Sequence, residues 1–302
     1  MRKQKNANRI RLSTSDRILD TVVMTMLIIF LLIILYPLIF IVSSSFSSGQ
    51  AVSSGKVLLW PVDFSIEGYR LVFDYDIVWT GYKNTIFYTV VGTTLNVIVT
   101  ILAAYPLSRR NMQGRDIYAT IFMIPMFIGG GLIPTYLLMS NLKLTNTPFV
   151  ILLSGLFSIY NMVIMRTFFQ NSVPADLHEA AKIDGITDIG YLLKILLPLS
   201  KPVLAVIALY YAVGHWNNYF TGLIYLRDRD LMPLQLVLRD ILTATQIDSS
   251  MVGNAEEIAA MIGASDVMKY SLIIVSTVPI LVLYPFIQKF FEKGVMLGSV
   301  KG

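Results

Sequence analysis

The chain has 302 residues, of which 55% are hydrophobic and only 14% charged, with a mean hydropathy of +0.65. Soluble domains carry roughly 25% charged residues, so a water-soluble globule is excluded. The absence of cysteine removes disulfides, thiolate metal sites and a cysteine nucleophile, and two histidines, His178 and His215, are too few for a histidine-rich metal site.

A bilayer core about 30 Å thick takes about 20 apolar residues as a helix. Six stretches free of Asp, Glu, Lys and Arg fit that need: 21–45, 85–107, 117–139, 149–165, 202–226 and 270–288. They predict an all-α polytopic membrane protein with six transmembrane helices. The first stretch is longer than a signal-peptide apolar region of roughly 7–15 residues, which favours an uncleaved anchor. The domain reading is a tail over 1–20, a six-span domain over 21–292 with a polar loop at about 167–201, and a second tail over 293–302. Pro37, Pro106, Pro125, Pro134, Pro279 and Pro285 lie in or at the ends of spans, where neighbouring helices can satisfy the freed carbonyls, so kinked helices are expected.

The net charge of +5 follows this topology. Placing the first tail and the loops after spans two, four and six on one side collects sixteen of the 24 basic residues there. By the positive-inside rule both termini are then cytoplasmic, in the cell membrane. A nucleic-acid surface would cluster basic residues with aromatics on one face; here they punctuate the spans. On the outer side, 46–84 holds Trp60, Tyr69, Phe73, Tyr75 and Trp79, too aromatic for a flexible linker, and is expected to pack as a cap.

Ion-coupled carriers usually hold ionisable side chains at membrane depth, and none of the six stretches contains a carboxylate, Lys or Arg. His215 is the one titratable imidazole in a span. A stand-alone secondary carrier or channel for a small polar solute is therefore the weaker alternative. An intramembrane enzyme is weaker still, without a carboxylate pair, an H-E-x-x-H run or an assembled Ser/His/Asp set. No phosphate-binding loop is present either: residues 49–57 are one residue too long, with Val57 where a magnesium-binding Ser or Thr would stand.

The polar loop between spans four and five reads as two short helices. Pro174 falls near the first turn of one, Asp176 and Glu179 at its positive end, and Gly185 as its stop. Thr187 can cap the second, with Ile186 and Tyr191 placed as a hydrophobic staple. Leu177, Ala180, Ala181 and Asp184 share a face whose small residues would let another protein approach. A helix lying on lipid headgroups is the competing reading from composition alone.

Glu179-Ala180-Ala181-Lys182-Ile183-Asp184-Gly185, with Tyr191 and Leu196-Leu197-Pro198 downstream, resembles the EAA loop of ABC importer permeases. Val173-Pro174, Asp176, Leu177, the run 198–202 and the C-terminal 294–302 are similar to the carbohydrate-uptake, maltose-type branch. Gly129-Gly130-Gly131-Leu132-Ile133-Pro134-Thr135-Tyr136 and Ile164-Met165-Arg166-Thr167-Phe168-Phe169 resemble its LplC-like permeases more narrowly. The resemblance covers most of the chain from about Trp60 onward and implies a type I importer permease (MetI-like) fold. It also implies a second homologous permease subunit, two cytoplasmic ABC ATPase subunits, an extracellular solute-binding protein and a sugar or oligosaccharide substrate. No cofactor would be bound by this chain, with ATP and magnesium on the ATPases. Carried over by position, Glu179, Ala180, Ala181, Asp184 and Gly185 would contact the ATPase. Ser299 and Lys301 would belong to a C-terminal tail reaching the ATPase interface, or to a frayed terminus.

Sugar binding in a membrane cavity calls for amides, hydroxyls and flat aromatics. The fifth span supplies Tyr210, Tyr211, Gly214, His215, Trp216, Asn217, Asn218, Tyr219 and Thr221. Read as one helix, it places Tyr211, His215 and Asn218 on one face and Tyr210, Gly214, Asn217 and Thr221 on the adjacent one. The candidates for the path are Tyr211, His215, Trp216, Asn217 and Asn218; packing against a neighbouring helix and an interfacial aromatic belt remain open. Asn96, Tyr136 and Asn161 are weaker candidates of the same kind, Asn161 rather for packing or gating. The glycines at 129–131 favour close helix approach over local unwinding.

Overall fold

The computed structural model describes residues 13–171, 173–174, 176–244 and 255–298; Ser299 and Lys301 lie outside the described residues. Among those residues the chain is helical, with no strand. It divides into two compact units, Met1–Arg70 with Ser249–Ile274, and Leu71–Asp248 with Val275–Gly302.

In the first unit, α1 (Thr14–Ser45) exposes apolar side chains on every face from Ile18 to Leu38 and buries only Ser43, Ser44 and Ser45. A helix apolar all round over that length suits lipid. Ser48 caps α2 (Gly49–Ser53) by accepting the Ala51 N–H at 3.2 Å. The backbone here meets the 255–274 segment closely: a Cβ on Gly49 would lie 2.6 Å from the Gly263 carbonyl carbon. The expected aromatic cap is only partly realised. Tyr69, in α3 (Glu67–Phe73), packs on Phe46 and meets the Ser45 hydroxyl at 2.9 Å, but Trp60 is 80% exposed.

The second unit is organised by α4 (Asp76–Ser108). Its buried residues, Val78, Gly81, Thr85, Tyr88, Gly92, Asn96, Thr100, Ala104 and Leu107, recur every three or four positions and form one stripe. Most are small or polar, the composition that lets helix backbones approach and hydrogen-bond where water is absent. The stripe is answered by α8 (Ile159–Asn171), α12 (Lys201–Trp216) and α14 (Leu234–Ala244). At one end Thr85 Oγ1 accepts the Leu234 N–H at 2.8 Å, and Tyr88 donates to the Leu231 carbonyl at 2.9 Å.

The remaining elements are α5 (Arg115–Phe127), α6 (Leu132–Asn141), α7 (Pro148–Leu153), α8 (Ile159–Asn171), α9 (Asp176–Ile183) and α10 (Asp188–Tyr191). A π turn (Leu192–Leu196) then leads to α11 (Leu197–Leu199), α12 (Lys201–Trp216), α13 (Phe220–Tyr225), a 3-10 turn (Arg229–Leu231), α14 (Leu234–Ala244) and α15 (Ala255–Gly298).

The six apolar stretches take three forms. The first, second and last are helices long and apolar enough to cross a membrane, in α1, α4 and Ile262–Val282 of α15. The third is α5 and α6, bent by 110° at 128–131. The expectation of close packing at that glycine run is corrected: a Cβ on Gly129 or Gly130 would meet nothing within 4 Å, while Gly131 takes φ +80°. The run breaks the helix. The fourth, the shortest, is α7 and α8 with a break at 154–158, where the Gly155 carbonyl left free by the helix receives the Asn96 side-chain amide. The fifth stops as a helix at Trp216 and resumes at Phe220, and its start is joined to 188–199 through an 83° bend.

Candidate functional site

The loop between α8 and α12 is assembled from local signals. Asp176 and Glu179 occupy the first turn of α9, where the helix dipole favours carboxylates. At its other end Gly185 takes φ +75° and its N–H donates to the Lys182 carbonyl at 3.0 Å, while the Ile186 N–H donates to the Ala181 carbonyl at 2.9 Å. This pair of bonds is a Schellman cap, which needs a left-handed residue that glycine adopts without a Cβ penalty. Two residues later Thr187 Oγ1 accepts the Gly190 N–H at 3.1 Å and starts α10. The predicted helix, glycine stop and threonine cap are all present.

This pair of helices is seated on the chain's own core. Tyr191, Leu192 and Leu196 are buried with Met162, Met165, Phe169 and Leu107, and Ile186 packs against the same cluster. Tyr105, near the end of α4, donates its hydroxyl to the Asp188 carbonyl at 3.0 Å. The Arg109 guanidinium lies between the Tyr105 and Tyr191 rings, 4.6 and 4.5 Å from their centres. His178 Nε2 meets Asp188 Oδ1 at 3.0 Å, tying α9 to α10 across the Gly185 bend. The loop is thus fastened to α4 and α8, and a force on it is delivered to them through packed contacts.

Of the residues expected to face another protein, Glu179, Ala180, Asp184 and Gly185 are exposed. Ala181 differs from them: it is 3% exposed and belongs to the core that includes Tyr191. Its small side chain lets α9 sit close to its own chain. The exposed crest also carries two apolar residues outside the face expected from sequence, Ile183 at 87% exposure and Ile189 at 70%. The available signal was an isoleucine on the polar side of a short amphipathic helix.

The path candidates divide differently from the expectation. Tyr211, His215 and Trp216, expected as path candidates, are buried against neighbouring helices of this chain. Thr100 donates to the Asn96 carbonyl at 2.7 Å, so the Tyr211 hydroxyl donates to Thr100 Oγ1 at 2.8 Å and accepts the Ser158 N–H at 3.1 Å. With Asn96 Nδ2 given to Gly155, its Oδ1 faces His215, whose Nε2–H donates to it at 3.2 Å. Trp216 donates to the Ser276 carbonyl at 3.0 Å. These are side chains satisfying buried polar groups, the helix-packing alternative.

Asn217 and Asn218 mark the break in the fifth span. Asn217 donates to the Val213 carbonyl at 3.0 Å as the last turn ends, and Asn218 Oδ1 accepts the Thr221 N–H at 3.2 Å as α13 begins. Asn218 is therefore off the helical face that was to unite it with Tyr211 and His215. The exposed face of α12 is the adjacent one, with Tyr210, Gly214 and Asn217. Among the weaker candidates, Asn96 and Asn161 are buried and Tyr136 stacks on Tyr225 with ring centres 5.7 Å apart.

Bent apolar helices gathered on a small-residue stripe, with a capped polar helix pair fastened to their ends, describe a membrane-embedded transport subunit. The chain belongs to the family of binding-protein-dependent transport system inner membrane components, whose model matches residues 96–297. It is 39% identical over 288 residues to the polygalacturonan/rhamnogalacturonan transport system permease protein YtcP of Bacillus subtilis (strain 168), covering 95% of this chain and 99% of that one. Protein LplC of the same organism is 37% identical, with 88% and 89% covered. Among solved structures, the crystal structure of a bacterial ABC transporter involved in the import of the acidic polysaccharide alginate contains a chain that superposes with a TM-score of 0.84 at 37% identity. That match covers 94% of this chain and 100% of that one. The resemblance to carbohydrate importer permeases of the LplC-like branch therefore holds. The chain is a multi-pass permease subunit of an ABC importer, a transport component rather than an enzyme, and the secondary-carrier alternative is not favoured.

Proposed function

We propose that this permease forms half of the translocation path for a sugar or oligosaccharide and is driven through the helix pair at 176–191. The observation that carries this reading is the rigid α9–α10 pair, capped at Gly185 and Thr187, packed on the helix ends and presenting Glu179, Ala180, Ile183, Asp184 and Ile189 outward. A capped helix pair seated on a core moves as a body. An ATPase cleft closing on that crest would shift the α4 and α8 ends through Tyr105, Arg109 and Tyr191. The partners are a second homologous permease, two cytoplasmic ATPases holding ATP and magnesium, and an extracellular solute-binding protein. The permease domain spans 21–292 between cytoplasmic tails.

The path face is Tyr210, Gly214 and Asn217, polar and exposed on a helix whose other side is packed. Since YtcP and the alginate importer are named for acidic sugar polymers, uronate oligomers are the first substrates to try. Affinity purification of the tagged chain from mild detergent, wild type against Glu179→Arg, tests the coupling role. A second permease and an ATPase should co-purify, and the ATPase should be lost in the variant. Wild-type chain recovered with no ATPase would overturn the reading.

A further inference from the structure

A cavity of about 900 Å³ opens beside the coupling loop, between the end of α4, the α4–α5 turn, the end of α8 and the helices α9 and α10. Its walls bring together Arg109, Arg110, Arg115, Arg166 and Lys182 against only Glu179 and Asp188. Asp188 is engaged by His178 at 3.0 Å, and Arg115 by Asp116 at 3.0 Å. Among the described residues Arg109, Arg110, Arg166 and Lys182 have no carboxylate within ion-pair distance; the His178 hydrogen bond, with the charges of Lys182 and Arg109 at longer range, holds the Asp188 carboxyl below its usual value.

The Arg109 guanidinium lies over two tyrosine rings, 4.6 and 4.5 Å from their centres, with Nε and Nη2 buried and without a hydrogen-bond partner. Arg166 donates Nε to the Leu107 carbonyl at 3.1 Å, which fixes its fork at the same wall. Cations lining one cavity repel one another unless an anion joins them, and guanidinium forks match phosphate oxygens in charge and in geometry. Buried N–H groups left unpaired are costly and call for an acceptor.

We propose that this cavity binds a phosphate group, which bridges the coupling loop to the ends of α4 and α8 and so stiffens the joint through which the ATPase acts. The proposal rests on the coupling role given to α9 and α10. The phosphate belongs either to an anionic lipid headgroup at the membrane face or to a free phosphate in solution; the chemistry of the site is the same for both.

The test uses the assembled importer in nanodiscs, wild type against Arg110→Gln combined with Arg166→Gln. In one arm the discs contain phosphatidylcholine only and binding of radiolabelled inorganic phosphate is measured. In the other they also contain phosphatidylglycerol, and native mass spectrometry counts the lipid retained. At least about a tenfold loss of phosphate affinity, or loss of retained phosphatidylglycerol, in the double variant supports the site and names its source. Equal binding by wild type and variant in both arms, or none in either, overturns it. So does loss of the ATPase from the variant without any anion binding by the wild type, which would make the cavity a socket for an acidic segment of the ATPase. Because binding is read without transport, and ATPase recovery is scored on the wild type separately, failure of the anion site and failure of the coupling reading are told apart.

Discussion

The imidazole of His215 occupies the space a side chain at Gly92 would fill: a Cβ built on Gly92 would lie 2.6 Å from Cε1 of the ring. Gly92→Ala therefore drives His215 off Asn96 or moves α12 away from α4. Overpacking of this kind costs about 1–3 kcal/mol, set against about 1 kcal/mol gained from replacing a helical glycine. The net expectation is a lower melting temperature for the purified permease. His215→Ala in the Gly92→Ala background should recover most of it. A raised melting point in Gly92→Ala alone, the gain from replacing a helical glycine with no overpacking cost, would mean that the ring does not lie where the structure has it.

Tyr211 sits one turn further along the same interface and uses its hydroxyl twice, toward Thr100 and toward the Ser158 N–H. Tyr211→Phe leaves that N–H without its acceptor, at a cost of about 1–3 kcal/mol. The permease should lose thermal stability while its preference among sugars stays the same, since the side chain is buried. Tyr210→Ala and Asn217→Ala should do the reverse and change uptake kinetics with the melting point held. A shift in sugar preference by Tyr211→Phe would return the residue to the path.

The two sites were unequally legible in the sequence, for a physical reason. The coupling loop is built from signals a few residues apart: the carboxylates at the start of α9, Gly185 at its end, Thr187 three residues before the N–H it caps. Such signals need no knowledge of the rest of the fold. The fifth span holds amides and aromatics that serve equally to line a cavity or to join helices, and only the neighbouring α4 decides between the two. Its stripe was readable in part, since Asn96 stood out, but Gly81, Thr85, Gly92 and Thr100 acquire meaning only once α12, α8 and α14 lie against them. The pair Asn217-Asn218 carries a helix-break signal alongside any ligand chemistry, since asparagine side chains compete for backbone groups and favour caps and turns. Composition also reads 202–226 as continuous because apolar content says nothing about where a helix is interrupted.

Ala180 and Ala181 are adjacent, chemically identical and differently placed, which makes them a sharp pair. Ala181→Leu adds volume to a packed core beside Tyr191 and should cost about 1–3 kcal/mol. Limited proteolysis should then cut the loop faster than in the wild type. Ala180→Leu changes an exposed position, so proteolysis of the free permease should match wild type while ATPase co-purification falls. Equal proteolytic rates for the two variants would contradict the burial of Ala181.

Gly185 separates backbone geometry from space at the coupling loop. A Cβ there would meet nothing within 4 Å, so a substitution is penalised by the left-handed φ of +75° alone. For an ordinary residue that conformation costs about 1–2 kcal/mol, whereas asparagine visits it more readily. Valine, with its branched Cβ, fares worst. The expected order of ATPase recovery and of coupled uptake is wild type, then Asn, then Ala, then Val, with membrane insertion equal in all four. The order matters more than the extremes. If the crest acted only by its side-chain chemistry, Asn and Val would differ in hydrogen bonding but Ala would resemble glycine. An alanine variant with full uptake would show that the Schellman cap does not set the angle at which α9 meets its partner.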